Sequence, residues 1–198
     1  NGDGFDDIII GAFNKDNSKG AVYVIYGGKE SSLSDRDFSL PDITLDPLTT
    51  GFNITGNEVN DCFGSSIGTG DVDGDGFDDI IIGAVGKDSR KGAVYVIYGG
   101  DKSNLIDRDL SLASMALEPS TTGFMITGES TNDQIGFSVN TGDVNNDAYD
   151  DIIIGAPGRN DGQGQVYVIY GGPKSSMSNI NLSNGLTPAV GLTIFGEG

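Results

Sequence analysis

The sequence predicts an all-β chain made of one structural unit that is repeated nearly three times. Residues 1–28 match residues 73–100 at an offset of 72, with only five differences. The same offset carries residues 71–100 onto residues 143–172. The chain has 32 glycines, as expected for short strands joined by tight turns, and it lacks the apolar spacing of an amphipathic helix. A long repeat without helices predicts stacked β-sheet units.

Four strands fit into one period. The first covers residues 63–70, and the second, residues 79–84, is a short apolar run that suits a strand buried on both faces. The third, residues 92–98, is rich in β-branched and aromatic side chains. A long polar connection leads to the fourth, near residues 123–127. Four antiparallel strands per repeat, with no helix between them, predict the blades of a β-propeller.

The repeats divide the chain into three parts. Residues 1–61 form a partial first repeat with a loop remnant and strands two to four, and residues 62–134 and 135–198 form the second and third blades. Because closed propellers need at least about four blades, we expect an incomplete ring. The chain is then a segment of a larger, for example seven-bladed, propeller, which we favour, or part of an open assembly of several copies.

The charge of the chain excludes several classes of partner. It carries 29 acidic and 11 basic residues and no histidine, for a formal net charge of −18. Such a chain repels nucleic acid and anionic membrane surfaces. Its apolar runs are too short to span a bilayer, so we expect no direct membrane insertion. Many of the acidic residues lie in short glycine-rich clusters, where their mutual repulsion favours a bound cation.

The second of these clusters, residues 71–79, predicts a calcium site. Asp71, Asp73, Asp75 and Asp79 stand at loop positions 1, 3, 5 and 9, and the carbonyl oxygen of Phe77 stands at position 7. Glycines at positions 4 and 6 allow the tight turn that points alternate side chains inward. An all-oxygen set of this kind suits Ca²⁺, and magnesium fits less well because it keeps more of its water.

The loop recurs in the other two repeats. The candidate ligands of the third copy are Asp143, Asn145, Asp147, the carbonyl of Tyr149, and Asp151. The first copy retains Asn1, Asp3, the carbonyl of Phe5, and Asp7. We therefore expect two complete calcium sites and one incomplete site at the N-terminus. An alanine at position 6 and an amide at position 3 predict weaker binding in the third copy. An EF-hand would need glutamate at position 12, where the second copy has Ile82.

Short motifs around these loops resemble those of a known family. Phe63-Gly64 precedes the second loop, and Gly155-Ala156-Pro157 follows the third. In this respect the chain resembles, over essentially its whole length, the FG-GAP repeats of integrin α-subunit β-propellers and their bacterial and protist relatives. It departs from the pattern at Ile135-Gly136 and at the Gly-Ala-Phe and Gly-Ala-Val that follow the first two loops. The resemblance implies an extracellular, calcium-stabilised propeller, often seven-bladed, that is used in adhesion or recognition.

No catalytic constellation stands out beside the loops. Without histidine and with one cysteine, Ser-His and Cys-His mechanisms are excluded. We therefore expect a non-catalytic extracellular module with structural calcium, which recognises a protein or glycan ligand or other copies of itself. Two alternatives remain open. The chain could be a building block of a surface filament or coat, or the accessory propeller of a larger secreted enzyme.

Two further features lie outside the loops. Asn53 and Asn181 fit the acceptor pattern for N-glycosylation, so both are candidates for a glycan. The long connections, residues 31–50 and 103–122, share an Asp-Arg-Asp sequence at residues 35–37 and 107–109. This sequence predicts an edge segment held by a local ion pair, or alternatively a surface that faces a partner.

Overall fold

The computed structural model describes residues 1–29 and 45–197, and within these ranges nearly all regular structure is β-strand. The strands are β1 (Ile8–Ala12), β2 (Ala21–Ile25), β3 (Gly51–Thr55), β4 (Phe63–Gly70), β5 (Asp79–Ala84), β6 (Ala93–Ile97), β7 (Arg108–Asp109), β8 (Gly123–Thr127), β9 (Ser138–Gly142), β10 (Asp151–Ala156), β11 (Gln165–Ile169), β12 (Ile180–Asn181) and β13 (Gly191–Phe195). The all-β prediction is confirmed, and the four strands expected in one period correspond to β4, β5, β6 and β8.

The described strands form three sheets that do not close a ring. Blade 1 contains β1, β2 and β3, blade 2 contains β4, β5, β6 and β8, and blade 3 contains β9, β10, β11 and β13. Neighbouring strands within each blade are antiparallel, and the register repeats, with Ile8 opposite Ile25 in blade 1 and Ile80 opposite Ile97 in blade 2. Nearly identical sequences at an offset of 72 therefore give sheets with the same pairing, as expected for propeller blades.

The two shortest strands, β7 and β12, come from the following repeat and pair with the edges of blades 1 and 2. β7 pairs in parallel with β3, so that Arg108 lies opposite Ile54, and β12 pairs in the same way with β8. The Asp-Arg-Asp segment at residues 107–109 is thus an edge segment, as predicted, but the ion pair that holds it is not local. Asp109 contacts Lys19 of blade 1 at 3.2 Å. The matching segment at residues 35–37 lies outside the described residues.

The core lies between blades and covers both faces of β5 in blade 2. Ile80 and Ile82 of β5 belong to a cluster shared with blade 1, which includes Phe52, whereas Ile81 belongs to a cluster shared with blade 3, which includes Ile152. All six residues of β5 are buried, which confirms the prediction for this strand. Burying each such side chain contributes about 1.5–3 kcal/mol, so the blades stabilise one another.

Close backbone contacts explain two of the repeated glycines. A β-carbon added at Gly11 would overlap the carbonyl oxygen of Gly64 in the next blade, and one added at Gly83 would overlap that of Gly136. The glycine that follows Phe63 therefore packs against the glycine that precedes Ala12 across the blade interface. The spacing of these short motifs thus reflects contact between consecutive repeats.

Short helical turns join the strands, although the sequence predicted none. They are the one-turn segments α1 (Lys15–Ser18), α2 (Lys87–Arg90) and α3 (Arg159–Gly162) and the 3₁₀ turns Ala113–Met115, Lys174–Ser176 and Leu182–Asn184. The interior of each one-turn segment is left-handed, with φ of 51° at Asp16 and 49° at Asp88. Carbonyl oxygens of these turns accept hydrogen bonds from the residues that lead into the next blade, as in the bond from Cys62 N–H to Ser18 O at 2.8 Å.

Candidate metal centre

The three acidic loops occupy equivalent places in the blades. We call residues 1–7 loop 1, residues 71–79 loop 2 and residues 143–151 loop 3. Loop 2 runs from the end of β4 into the start of β5, and loop 3 joins β9 to β10 in the same way. In every loop the last aspartate accepts a hydrogen bond from a glycine N–H that follows the third strand. These bonds are Gly27 to Asp7 (2.9 Å), Gly99 to Asp79 (2.8 Å) and Gly171 to Asp151 (2.9 Å).

Loop 2 brings three of its predicted ligands together. Carboxylate oxygens of Asp71, Asp73 and Asp79 all lie within 4.8 Å of one another. Asp73 and Asp79 are buried, and Asp71 is partly buried. Among the residues that the structure describes, this is the one group of three acidic, histidine or cysteine side chains found at such range. Oxygens at this separation can bind a common divalent ion, which resolves their repulsion.

Backbone hydrogen bonds fix the carboxylate at the start of the loop. Asp71 Oδ1 accepts from the N–H groups of Gly74 (2.8 Å) and Asp75 (3.0 Å), and its Oδ2 accepts from that of Gly76 (2.9 Å). Gly74 and Gly76 have φ of 75° and 87°, in the left-handed region that favours glycine. The loop backbone therefore holds the Asp71 side chain in place before any ion binds.

Asp79 closes the loop from inside the protein. Its side chain is fully buried, with Oδ2 accepting from the N–H of Val72 (3.1 Å) and Oδ1 from that of Gly99. Burial raises its pKa to about 8, although these hydrogen bonds oppose the shift, and the neighbouring charge of Asp73 raises it further. A carboxyl group this buried carries its negative charge at neutral pH only with the help of a nearby cation.

The carboxylate of Asp73 is buried and incompletely hydrogen-bonded, as expected for a metal ligand. Its side chain has no exposed surface, and its buried Oδ2 has no well-directed hydrogen-bond donor, although Lys174 Nζ lies 3.0 Å away. Burial raises the pKa of Asp73, with Lys174 acting in the opposite direction. Buried carboxylate oxygens are normally paired, so an incompletely satisfied one in a carboxylate cluster fits a metal ligand. The residues of loop 2 therefore suit calcium.

Of the other two predicted ligands of loop 2, Asp75 is not part of this group of three carboxylates. Asp75 Oδ1 accepts from Phe77 N–H at 3.0 Å, and its Oδ2 contacts Lys174 Nζ at 2.6 Å. The ring of Phe77 packs over Gly2 of loop 1. A metal-ligand role for Asp75 and for the Phe77 carbonyl stays a prediction.

Loop 3 has backbone hydrogen bonds like those of loop 2, but its side chains are paired differently. Asp143 accepts from Asp147 N–H (3.1 Å) and Ala148 N–H (3.0 Å), and although burial acts to raise its pKa, these bonds outweigh it and lower that pKa. Asn145 Nδ2 donates to Asp147 Oδ2 at 2.9 Å, so an internal amide satisfies this carboxylate. Asp151 accepts from Val144 N–H and is buried. The carbonyl of Tyr149 stays a predicted ligand.

In loop 1, Asp7 is paired within the loop and Asp3 is paired with a lysine of the next repeat. Asn1 Nδ2 lies 2.9 Å from both carboxylate oxygens of Asp7, and Asp3 Oδ2 contacts Lys102 Nζ at 2.9 Å. The N–H of Phe5 donates to Asp3 Oδ1 at 3.1 Å. The ligand roles of Asn1, Asp3, Asp7 and the Phe5 carbonyl remain predictions.

The sequence reasoning missed contacts between consecutive loops. Asp150, at position 8 of loop 3, exchanges two hydrogen bonds with Asp71: its N–H donates to Asp71 O, and Asp71 N–H donates to its Oδ2, both at 3.0 Å. Lys102 and Lys174 each reach the loop of the preceding repeat. Both lysines follow a Gly-Gly pair at the same offset of 72, which was the available signal.

The two glycosylation candidates differ in their surroundings. Asn53 lies in β3, where its N–H and its Nδ2 both donate to Asp107 Oδ1, at 2.7 and 2.9 Å. Asn181 is exposed at the end of β12, and its Oδ1 accepts from both the N–H and the hydroxyl of Ser183. Modification of either residue stays a prediction, and the geometry favours Asn181 because it is exposed and its bonds to Ser183 use the amide oxygen, whereas Asn53 uses its amide nitrogen.

Comparison with known proteins identifies the repeats. The family model described as "FG-GAP repeat" matches residues 1–25, 63–97 and 135–169. Each of the three matches contains one of the acidic loops. The chain therefore belongs to the FG-GAP repeat family. The matched segments contain the strands that surround each loop, and the second and third begin at the Phe63 and Ile135 that dock on the preceding blade.

Similar proteins include integrin alpha subunits and a phospholipase D. Integrin alpha-PS2 of Drosophila melanogaster is 34% identical over 137 residues, which cover 64% of this chain and 9% of that protein. Phosphatidylinositol-glycan-specific phospholipase D is 31% identical over 196 residues in Bos taurus and over 193 residues in Homo sapiens. The bovine match covers 92% of this chain and 21% of the enzyme. The chain thus spans about a fifth or less of these relatives. Within the described ranges, no helix is both long and apolar enough to cross a membrane.

Proposed function

We propose that this FG-GAP chain is a non-catalytic, extracellular propeller module in which calcium stabilises the loops and the blade surfaces recognise a protein or glycan. The observation that supports calcium most directly is the group of Asp71, Asp73 and Asp79 in loop 2, in which the buried Asp73 Oδ2 lacks a well-directed donor. Integrin alpha subunits among the relatives support recognition and an extracellular location. A formal charge of −18 agrees with a cation-binding surface and with partners other than nucleic acid.

Calcium should act by binding the folded loop and not the unfolded chain. Sites of extracellular modules bind calcium with Kd of about 10⁻⁴–10⁻³ M, so extracellular calcium would keep them largely filled. At ten times its Kd, one such ion adds about 1.4 kcal/mol to the free energy of unfolding. For a chain of this size, that corresponds to about 3–6 °C in Tm.

Thermal unfolding with and without chelator tests this proposal. We expect Tm to rise by about 3–6 °C or more from EDTA to about 5 mM calcium, because two loops contribute. Asp79→Asn should lose the part of this rise that comes from loop 2, since it removes the buried carboxylate of that loop. Asp16→Asn removes the same charge from an exposed left-handed turn and should keep the rise. Equal Tm values in calcium and EDTA for the unmodified chain would refute the calcium role.

The similarity to phosphatidylinositol-glycan-specific phospholipase D supports a second candidate. Its match covers more of this chain than the integrin match, 92% against 64%. These blades could therefore be the accessory propeller of a larger secreted enzyme, with catalysis in another domain. The complete reading frame distinguishes the candidates, because a hydrolase domain in it would favour the accessory role and its absence would favour a recognition module.

A further inference from the structure

Lys174 places a positive charge at the outer side of loop 2. It begins the 3₁₀ turn Lys174–Ser176, in the connection that follows β11 of blade 3. Its Nζ lies 2.6 Å from Asp75 Oδ2 and 3.0 Å from Asp73 Oδ2, and 4.9 Å from the centre of the Tyr98 ring. Three groups of blade 2 therefore hold one ammonium group from the next repeat.

The arrangement is repeated one blade earlier. Lys102 Nζ lies 2.9 Å from Asp3 Oδ2 of loop 1 and 4.8 Å from the centre of the Tyr26 ring. Asp3 and Asp75 occupy the same loop position, and Tyr26 and Tyr98 the same place after the third strand. Because the contact occurs twice with equivalent partners, it belongs to the repeat and is not an accident of one surface lysine.

If Asp73 and Asp75 bind calcium as the sequence predicts, the lysine and the ion would compete for their carboxylates. Calcium binds carboxylate oxygens at 2.3–2.6 Å, and an ammonium nitrogen at 2.6–3.0 Å from the same atoms would be brought close to it. Two cations at that range repel each other strongly inside a half-buried loop. The loop therefore cannot retain both of the Lys174 contacts when Asp73 and Asp75 bind a divalent ion.

We propose that Lys174 is a tethered counter-ion of loop 2, which neutralises Asp73 and Asp75 in the calcium-free protein and is displaced when calcium binds. The proposal rests on the calcium role given under Proposed function. It makes calcium binding an exchange of cations, in which the internal ammonium group lowers the affinity for the free ion. It also couples the loop to the next repeat, because displacement releases the start of the connection that follows β11.

Calcium titration of matched variants tests the exchange. The full 198-residue chain carries Asp143→Ala in every sample, which removes a carboxylate from loop 3. Isothermal titration with CaCl₂ then compares Lys174→Met and Lys174→Gln with the parent, and the heat that Asp79→Asn abolishes defines the loop 2 signal. Lys91→Met serves as the charge-matched control, since Lys91 precedes β6 and lies at the end of that strand opposite to loop 2.

The expected result is tighter calcium binding at loop 2, by about tenfold, in both Lys174 variants and an unchanged affinity in Lys91→Met. In EDTA, the Lys174 variants should also melt at a lower temperature than the parent, because they lose the internal counter-ion. Equal calcium affinity would overturn the exchange, and so would weaker affinity, which would show that Lys174 positions the carboxylates for the metal. Absence of any calcium heat in the parent would refute the calcium role itself.

Discussion

Under the proposed calcium role, single residues in the loops determine how well each copy would bind the ion. The three loops share the backbone hydrogen bonds to their side chains at positions 3, 5 and 9. They differ in the residue at position 3, where loop 2 has Asp73 and loops 1 and 3 have Asn1 and Asn145. The asparagines satisfy neighbouring carboxylates with their own amide nitrogens. Asp73 has no amide nitrogen to donate, and its carboxylate needs a cation from outside the loop, such as the Lys174 ammonium group 3.0 Å away. Loop 2 is therefore the copy most dependent on calcium or on Lys174.

The residue at position 6 of the loop differs by one methyl group between loops 2 and 3, so its effect on calcium binding can be tested by exchange of alanine and glycine. Ala148 adopts φ of 73°, where the equivalent Gly76 adopts 87°. A β-carbon in this left-handed region costs about 1–2 kcal/mol, so Ala148→Gly should remove strain from the folded loop. Glycine also makes the unfolded chain more flexible, which offsets part of the gain.

We expect Ala148→Gly to leave stability in EDTA within about 1 kcal/mol and to tighten calcium binding at loop 3. Urea unfolding measures the first effect and calcium titration of an Asp79→Asn background measures the second. Gly76→Ala in loop 2 is the reciprocal variant, and it should weaken binding there. If Ala148→Gly and its parent bound calcium with identical affinity at loop 3, the role assigned to position 6 would be contradicted.

The buried carboxyl group of Asp79 predicts how pH affects the calcium-free chain. Its pKa is about 8 in the folded protein, above its ordinary value of 3.8. The folded state therefore binds this proton more tightly, and the stabilisation that results is complete below pH ~4 and is lost as pH rises through about 8. One such group contributes a slope of at most about 1.4 kcal/mol per pH unit.

In EDTA, the free energy of unfolding of the unmodified chain should thus contain a component that falls between pH ~4 and ~8, which Asp79→Asn lacks. Saturating calcium should remove this component, because the ion stabilises the ionised form. Urea unfolding at several pH values measures it. The same pH dependence in the two proteins would show that Asp79 titrates normally.

At the scale of elements, the sequence predicted the strands better than the turns. β4, β5 and β8 have the predicted bounds, since their apolar and β-branched runs are interrupted by glycine or acidic loops. The left-handed turns were missed because residues such as Ser89 and Arg90 carry no signal for positive φ. Their conformation follows from docking of the next blade, as in the bond from Gln134 N–H to Arg90 O, which no local pattern reveals.

Long-range contacts limited the prediction of the site in the same way. The aspartates of loop 2 were predicted because one short loop carries them all. Lys174 was missed because it lies 99 residues from Asp75 in the sequence. Only the order of the blades in space brings the two together, so the acidic cluster could be read from the sequence and its contact with Lys174 could not.

The glycine contact between blades yields a prediction for packing. Gly83→Ala should destabilise the chain by about 1–3 kcal/mol, because the new methyl group would meet the rigid backbone carbonyl of Gly136. Gly142→Ala is the matched control, since a β-carbon there meets nothing within 4 Å. Urea unfolding in saturating calcium compares them. Equal stability of the two variants would contradict the close approach of blades 2 and 3.

At the scale of the whole molecule, each repeat is completed by its neighbours. The connection of one repeat adds a short strand to the preceding blade, its lysine reaches the preceding loop, and its first strand docks on the preceding glycine. We propose that the repeat boundaries lie at residues 61/62 and 134/135, because the Phe63 and Ile135 docking segments begin there. Calcium in one loop would then stabilise an interface as well as a turn.

Anomalous scattering from crystals grown with calcium would show directly whether loop 2 binds the ion. We expect an anomalous peak in loop 2, about 2.3–2.6 Å from oxygens of Asp71, Asp73 and Asp79, with Lys174 moved away from Asp73. Data collected from EDTA-treated crystals provide the control. Loop 2 without a peak at saturating calcium, with Lys174 still in contact with both carboxylates, would mean that loop 2 does not bind calcium.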